Sequence, residues 1–555
     1  MRNFTTTILI MFALIGLNIS TMNAQWVWAH GAGNTTGNDV SQSVATDPSG
    51  NVFVTGSFIS PTITFGTTTL TNAGTGTPDV FIVKYSSAGI VQWAKSANGS
   101  GFDLGLGIAT DASGNAYVTG SFSSDTLRFG TISIINDTAQ STDIFVAKYD
   151  PSGNVLWAKH FGGSDNDEAL SIATSGTNVY ITGGFASAHI AFGTTTLTNN
   201  GPTVYKDVFI AKLDGSGNAL WAKSAGGIYS DEGYGIAADA AGNAYITGLF
   251  GNHSPIIFGT DTLLNSGGSD IFTVKYNSSG TVVWAKSAGG TGNEVPGGIA
   301  IDAGGNVYIT GAFSSSMMFF AYFTLSNLGN GDIYVAKYTA AGFPEWGRVE
   351  GEQFGFDEGF AIATDAHANV YVTGIFTGTS MFMASTTFTN AGGSDIFVLK
   401  LDSTGLAHWA KCAGGTNQDD AYGIAVNGSN VYITGDFYSA SLAFGSNTLT
   451  NASGWGDMFV AKLDTGSTGM SEVNNLAIIK IYPNPASTIL NIHTNSQLST
   501  LNSQLIITDL LGNEVYKEML YGIDNTISIS TWSEGVYFYE VRGQEGSVRG
   551  KFVKE

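Results

Sequence analysis

The chain has 555 residues, 74 of them Gly and one Cys, with 22 basic against 44 acidic side chains for a formal charge of −22. An apolar fraction of 43% supports a large buried core and excludes a disordered acidic tail, and Gly without a three-residue period excludes collagen. No concentrated basic stripe interrupts the acidic balance, which argues against nucleic acid and anionic membranes as partners.

Residues 1–24 read as a secretory signal peptide: Arg2 is the charged start, Ile8 to Leu17 the apolar stretch, and Met22-Asn23-Ala24 the small-residue cleavage site. The mature chain would then begin at Gln25. The apolar run is too short to span a bilayer, and no later stretch approaches the roughly 20 residues a transmembrane helix needs. Export permits disulfides, yet Cys412 has no partner; it follows Trp-Ala-Lys where three other repeats carry Ser, and reads as an inert substitution.

Trp recurs at 28, 93, 157, 221, 284, 346 and 409, at steps of 62 to 65 residues, the mark of a repeat architecture. Between successive Trp residues four short segments alternate apolar and polar residues and end at Gly, Asn, Asp or Ser, as β-strands do. We name them A (Gly-Ile-Ala-Thr-Asp), B (Val-Tyr-Val-Thr-Gly), C (Asp-Ile-Phe-Val-Ala-Lys) and D (the Trp strand). Four strands per repeat is the size of a propeller blade. The array opens with a lone D strand, Gln25 to His30, and its last repeat, 419–464, has A, B and C but no D. Those fragments complete one blade, so the expected fold is an all-β, seven-bladed β-propeller over 25–464, closed by its N-terminal strand.

The segments Tyr-Ile-Thr-Gly-x-Phe, Phe-Gly-x-x-x-Leu-x-Asn and Asp-Ile-Phe-Val-Ala-Lys-Tyr-Asp-x-x-Gly-Asn-x-x-Trp-Ala-Lys resemble the bacterial β-propeller repeats known as SBBP repeats. That resemblance implies the fold and little about activity, since propellers host enzymes, lectin-like binders and scaffolds alike.

A Gly/Ser-type linker, 465–474, ends the repeat, and from 475 to 555 short alternating segments spaced by turns predict a small immunoglobulin-like β-sandwich. This stretch resembles the type A C-terminal sorting domain of type IX secretion. The matching residues are Tyr482, Pro483, Asn484 and Pro485, Asp509 with Gly512, Gly535 with Tyr537, and the basic end beginning at Lys551. The resemblance implies passage through the periplasm, recognition by the outer-membrane translocon, and release or attachment at the cell surface.

An acid stands five positions before the first apolar residue of each A strand: Asp39, Asp103, Asp167, Asp231, Glu294, Asp357 and Asp419. In a propeller these would ring one mouth of the central channel and attract a cation such as Ca²⁺ or a basic partner. The competing reading is that each accepts N–H bonds in its own turn. The inserts between B and C, with Asn72, Asn136, Asn199, Asn265, Asn327, Asn390 and Asn451 at one register, are expected to fold as small hairpins on the same face, with Asn capping their ends. The strand-B Thr-Gly and the seven Trp residues read as packing devices.

The seven His residues show no metal-ligand spacing, and the sequence has no Gly-x-Ser-x-Gly, His-Glu-x-x-His, phosphate loop or dinucleotide fingerprint. No cofactor is called for by any motif. The favoured function is a non-enzymatic surface protein binding a glycan or a protein, with a polysaccharide hydrolase or lyase using the ring acids as the alternative. Departures from the repeat at Met317 to Tyr322, Ser380 to Ala384 and Phe343 to Arg348 mark blades five and six as the place for a unique site.

Overall fold

The computed structural model describes residues 24–138, 141–451, 453–466, 479–482, 485–494, 503–510, 512–520, 524–543 and 546–555. The expected leader up to residue 23, linker residues 467–474, and Pro483 and Asn484 of the tail motif lie outside the described residues. The chain divides into two compact units, Met1–Gly466 and Ser467–Glu555. Among the described residues all regular structure is β-strand, arranged in antiparallel sheets, with no helix.

The first repeat serves as the pattern: A is Asp39–Thr46, B Val52–Phe58, C Asp79–Tyr85 and D Val91–Asn98, hydrogen-bonded in the order A-B-C-D. The last sheet draws on both ends of the array. Gln25–Ala32 pairs antiparallel with Asp457–Asp464, Trp28 opposite Lys462, next to Asn430–Phe437 and Asp419–Asn427. The A strand Asp419–Asn427 also neighbours Asp39–Thr46, where Asn427 Nδ2 donates to Asp47 O at 2.9 Å and Ser41 Oγ to Gly435 O at 2.7 Å. Pairing the two ends in this way covers the free side of Asp457–Asp464 and makes Gln25–Ala32 the outer strand of that sheet.

Strand A is longer than the sequence pattern predicts, and a bulge is the reason. In the second repeat the A–B register shifts between Gly105 and Gly107, which lets A begin at Asp103 rather than at the Gly-Ile-Ala segment. The bulge pushes the Leu104 carbonyl toward strand B, where a Cβ on Gly120 would collide with it. The same conflict faces Gly56 at Val40 O and Gly183 at Glu168 O, so the recurrent Thr-Gly of strand B is a consequence of the bulge opposite it.

The inserts fold as two-stranded hairpins, Thr62–Phe65 with Thr68–Thr71 in the first repeat. Their apolar side, Ile63, Phe65 and Leu70, is buried. They run outward onto the D strands: Thr126–Phe129 of the second repeat pairs with D of the first through Arg128 opposite Asn98 and Phe129 opposite Ala97. Each asparagine seals the start of its insert, Asn72 Nδ2 donating to Phe58 O at 2.8 Å while its Oδ1 accepts from Gly74 N–H at 2.7 Å.

Neighbouring sheets are stitched by a repeated pair of hydrogen bonds. Trp93 Nε1 and Lys84 Nζ both donate to the Pro151 carbonyl in the next repeat's C–D turn, at 3.1 and 3.0 Å. The strand-C lysines also lie over aromatic rings of strand B, as Lys148 over Tyr117 at 4.9 Å, each contact worth about 0.5–2 kcal/mol.

The second unit has two sheets around one apolar core of Leu490, Ile492, Leu505, Ile507, Val541 and Phe552. Asp509 and Gly512 form a tight turn, with Gly512 at φ +84° and its N–H donating to Asp509 O at 3.0 Å. Tyr537 stacks on Phe552 at 5.6 Å and donates to Ser533 O, whereas Tyr482, Pro485 and Lys551 are exposed.

Candidate functional site

Side chains alternate along strand A, so each repeat-initial acid and the residue after it face opposite ways. The acids Asp39, Asp103, Asp167, Asp231, Glu294, Asp357 and Asp419 are all buried, at 0–1% exposure. Most of their acceptors are filled from the start of the B–C insert: Ser187 donates its N–H and its hydroxyl to Asp167 at 3.1 and 2.7 Å, and Ser439 does the same for Asp419 at 3.3 and 2.7 Å. Asp231 and Glu294 also take an N–H from the turn before them, Gly227 at 2.7 Å and Gly290 at 2.9 Å. The acids therefore tie insert to strand, and their carboxylates are not presented to solvent.

The structure brings each of these acids beside a strand-C aspartate of the preceding repeat: Asp39 with Asp457, Asp103 with Asp79, Asp167 with Asp143, and Asp231 with Asp207. Glu294 meets Asp270, Asp357 meets Asp332, and Asp419 meets Asp395. Burial, and then the second carboxylate, lifts Asp39, Asp167, Asp231 and Asp357 to about 7 and Asp103 and Asp419 to about 6.

The next position carries acids that the sequence pattern passed over. It is Val40, Leu104 and Val295 in three repeats, but Glu168, Glu232, Glu358 and Asp420 in four. Lys206 Nζ lies 2.8 Å from Glu168 Oε2 and 3.7 Å from Glu232 Oε1. Burial, and then Glu232, Glu358 and Glu168, raise Tyr234 to about 12, so these side chains share one electrostatic environment. Glu358 rises to about 7 through burial and then Asp420, which itself accepts from Tyr422 Oη at 3.1 Å and from Ser394 Oγ at 2.5 Å. The legible signal was the acid pair at 167–168, 231–232, 357–358 and 419–420.

An open groove of about 550 Å³ lies between D of the first repeat and the insert of the second, lined by Lys95, Asn98, Arg128 and Tyr149 among others. Tyr149 Oη and Asn98 Oδ1 are buried there without a hydrogen-bond partner. Among the departures in repeats five and six, Met318, Phe320, Met381 and Met383 are buried in the hairpin core, whereas Met317, Phe319, Tyr322, Phe343 and Phe382 are exposed. Ala384 and Ser385 adopt φ of +46° and +66°, near where other inserts place Gly. Burial pushes the Cys412 thiol up to about 11, away from the reactive thiolate.

Residues 480–555 match the secretion system C-terminal sorting domain family. The chain is similar to an uncharacterised WD repeat-containing protein of Acanthamoeba polyphaga mimivirus, 28% identical over 409 residues, covering 61% of this chain and 29% of that protein. It is also similar to the regulatory protein FlaEY of Caulobacter vibrioides, 25% identical over 279 residues, 47% of this chain and 29% of the relative. The chain thus spans under a third of the length of these relatives. Among solved structures, PorZ, a surface component of the type IX secretion system of Porphyromonas gingivalis, aligns over 93% of this chain and 81% of its own at 13% identity and a TM-score of 0.23. The sorting domain implies secretion or attachment at the cell surface. Among the described residues no helix is long and apolar enough to cross a membrane.

Proposed function

We propose that this chain is a surface-delivered binding protein: a seven-bladed SBBP-type β-propeller carried out through type IX secretion by its C-terminal domain, without enzymatic activity. The observation that carries the reading is the sorting-domain match over residues 480–555 behind an array of near-uniform sheets. The pairing of Gln25–Ala32 with Asp457–Asp464 supports closure into a ring. Burial of the recurrent acids, which removes them from solvent, supports a scaffold role for them over catalysis. The ligand we propose is an acidic glycan held in the groove of Lys95 and Arg128, where the unpartnered Tyr149 hydroxyl and Asn98 carbonyl supply polar contacts.

Two measurements test this. Removing residues 475–555 in a host with type IX secretion should leave the protein in the periplasm, and surface display without them would overturn the export reading. Titration of the full chain with polygalacturonate should show saturable, salt-sensitive binding that falls at least tenfold in Lys95→Ala/Arg128→Ala. Binding unchanged by the double substitution would remove the groove.

A polysaccharide-cleaving activity is the second reading, favoured by Glu358, a carboxyl lifted to about 7 beside Asp420. Turnover of any polysaccharide that Glu358→Gln abolishes would replace the binding reading with this one.

A further inference from the structure

Repeat two departs from the others at two positions that the fold brings together. After the capping asparagine of the insert, the repeats carry Ala73, Asp137, Asn200, Ser266, Leu328, Ala391 and Ala452. Three residues after each Trp they carry Gly31, Ser96, His160, Ser224, Ser287, Val349 and Cys412. Only the second repeat has ligand side chains at both, and between them stands Asp143, the strand-C aspartate common to all repeats.

The sheet register explains how they meet. His160 lies opposite Phe145, two residues from Asp143 along strand C, which makes His160 and Asp143 diagonal neighbours on one sheet face. The place directly beyond is taken by Gly162, where a Cβ would collide with Asp143 Oδ1, so no side chain fills the space over that oxygen. Asp137 is brought in by its own backbone, its N–H donating to Asp143 Oδ2 at 2.8 Å. The other oxygen, Asp143 Oδ1, is buried with no hydrogen-bond partner, on a residue that is 0% exposed. Ligand atoms of Asp137, Asp143 and His160 all lie within 4.8 Å of one another, and His160 Nε2 is 3.3 Å from Asp137 Oδ1. The edge of a tetrahedral set of N and O ligands around Zn²⁺ is about 3.4 Å.

We propose that Asp137, Asp143 and His160 form a binding site for a divalent transition metal. An imidazole with two carboxylates selects Zn²⁺-like ions over Ca²⁺, which takes oxygen ligands alone. The partial exposure of Asp137 and His160, at 50% and 33% of their side chains, gives the ion an entry path and leaves a coordination position to solvent or to an exogenous ligand. The same oxygen is unpartnered on Asp270, Asp332, Asp395 and Asp457, so what is particular to the second repeat is the pair of ligand side chains, Asp137 and His160, placed beside it.

The test is titration of the full chain with Zn²⁺ by calorimetry, repeated with Co²⁺ by visible absorption. One ion per chain is expected, with Co²⁺ bands of a four- or five-coordinate site. His160→Ala and Asp137→Asn, at a partly exposed and an exposed position, should each weaken binding by at least about tenfold with the melting temperature of the metal-free protein unchanged. A second pair of substitutions, Asn200→Asp with Ser224→His, installs the same ligands around Asp207 and should raise the stoichiometry to two. Absence of saturable Zn²⁺ binding, or binding that survives His160→Ala, overturns the site.

Discussion

Asp231 and Glu232 are adjacent in strand A, and almost nothing about their surroundings is alike. Asp231 belongs to a row repeated in every sheet, is sealed at 1% exposure, and accepts Gly227 and Gly251 N–H groups at 2.7 and 3.3 Å. Glu232 belongs to a row that changes from repeat to repeat, keeps 19% of its side chain exposed, and faces Lys206 at 3.7 Å. The contrast teaches that the acid row recurring in every repeat is sealed into the scaffold, whereas the row beside it carries charge that some repeats have and others lack. The positions of Asp137 and His160 likewise vary between repeats.

Replacement of each residue should separate the two rows most sharply. Asp231→Ala strands two backbone donors, at least one of them buried, and should cost about 2–4 kcal/mol in a denaturant melt of the full chain, whereas Glu232→Ala removes a half-buried ion pair and should cost about 1 kcal/mol or less. Equal losses would break the comparison.

The pH dependence of stability is the next largest effect. Asp39, Asp231 and Asp357 are raised to about 7 when folded, against about 4 in an unfolded chain, so the folded state holds more protons between these values. Stability should therefore be greatest near pH 5 and fall as pH rises through 7, lowering the melting temperature by several degrees at pH 8. Below pH 4 the trend reverses, because turn aspartates such as Asp402, held down to about 2 by Thr404 and His408 against the cost of burial, lose their bonds on protonation. A melting temperature that rises from pH 5 to pH 8 would show that the buried pairs are ionised and compensated.

The smallest expected effect is that of calcium. With amide and hydroxyl donors already on the acid row, adding Ca²⁺ or a chelator at pH 8 should move the melting temperature by less than about 1 °C. A rise of several degrees would make the unpartnered oxygens Asp39 Oδ2 and Asp457 Oδ1 calcium ligands.

Much of the scaffold is legible in the residues themselves. The spacing of Trp28 to Trp409 sets the repeat, alternation sets the strands, and the missing D segment after Asp464 points to Gln25–Ala32 as its partner, because that segment carries the Trp pattern the last repeat lacks. The turn chemistry is equally local, as Asp509 with Gly512 demonstrates. The tail motif is legible because it consists of a few residues in fixed order near the C-terminus, matched over 480–555.

What only tertiary structure decided is where the polar groups point and whom they meet. The bulge at Gly105 to Gly107 lengthens strand A and carries Asp103 from an exposed loop into a sealed junction, and no local pattern announces a bulge whose cause lies in the strand opposite. The insert of the second repeat joins the first repeat's D strand for a similar reason: the edge there accepts Arg128 and Phe129. Asp137 and His160 are 23 residues apart in sequence, and they become neighbours through Asp143, which is diagonal to His160 across two strands and accepts the Asp137 N–H. Period and turn type are properties of a short stretch of chain; burial, pairing and ligand geometry belong to contacts between distant stretches, which only the folded chain defines.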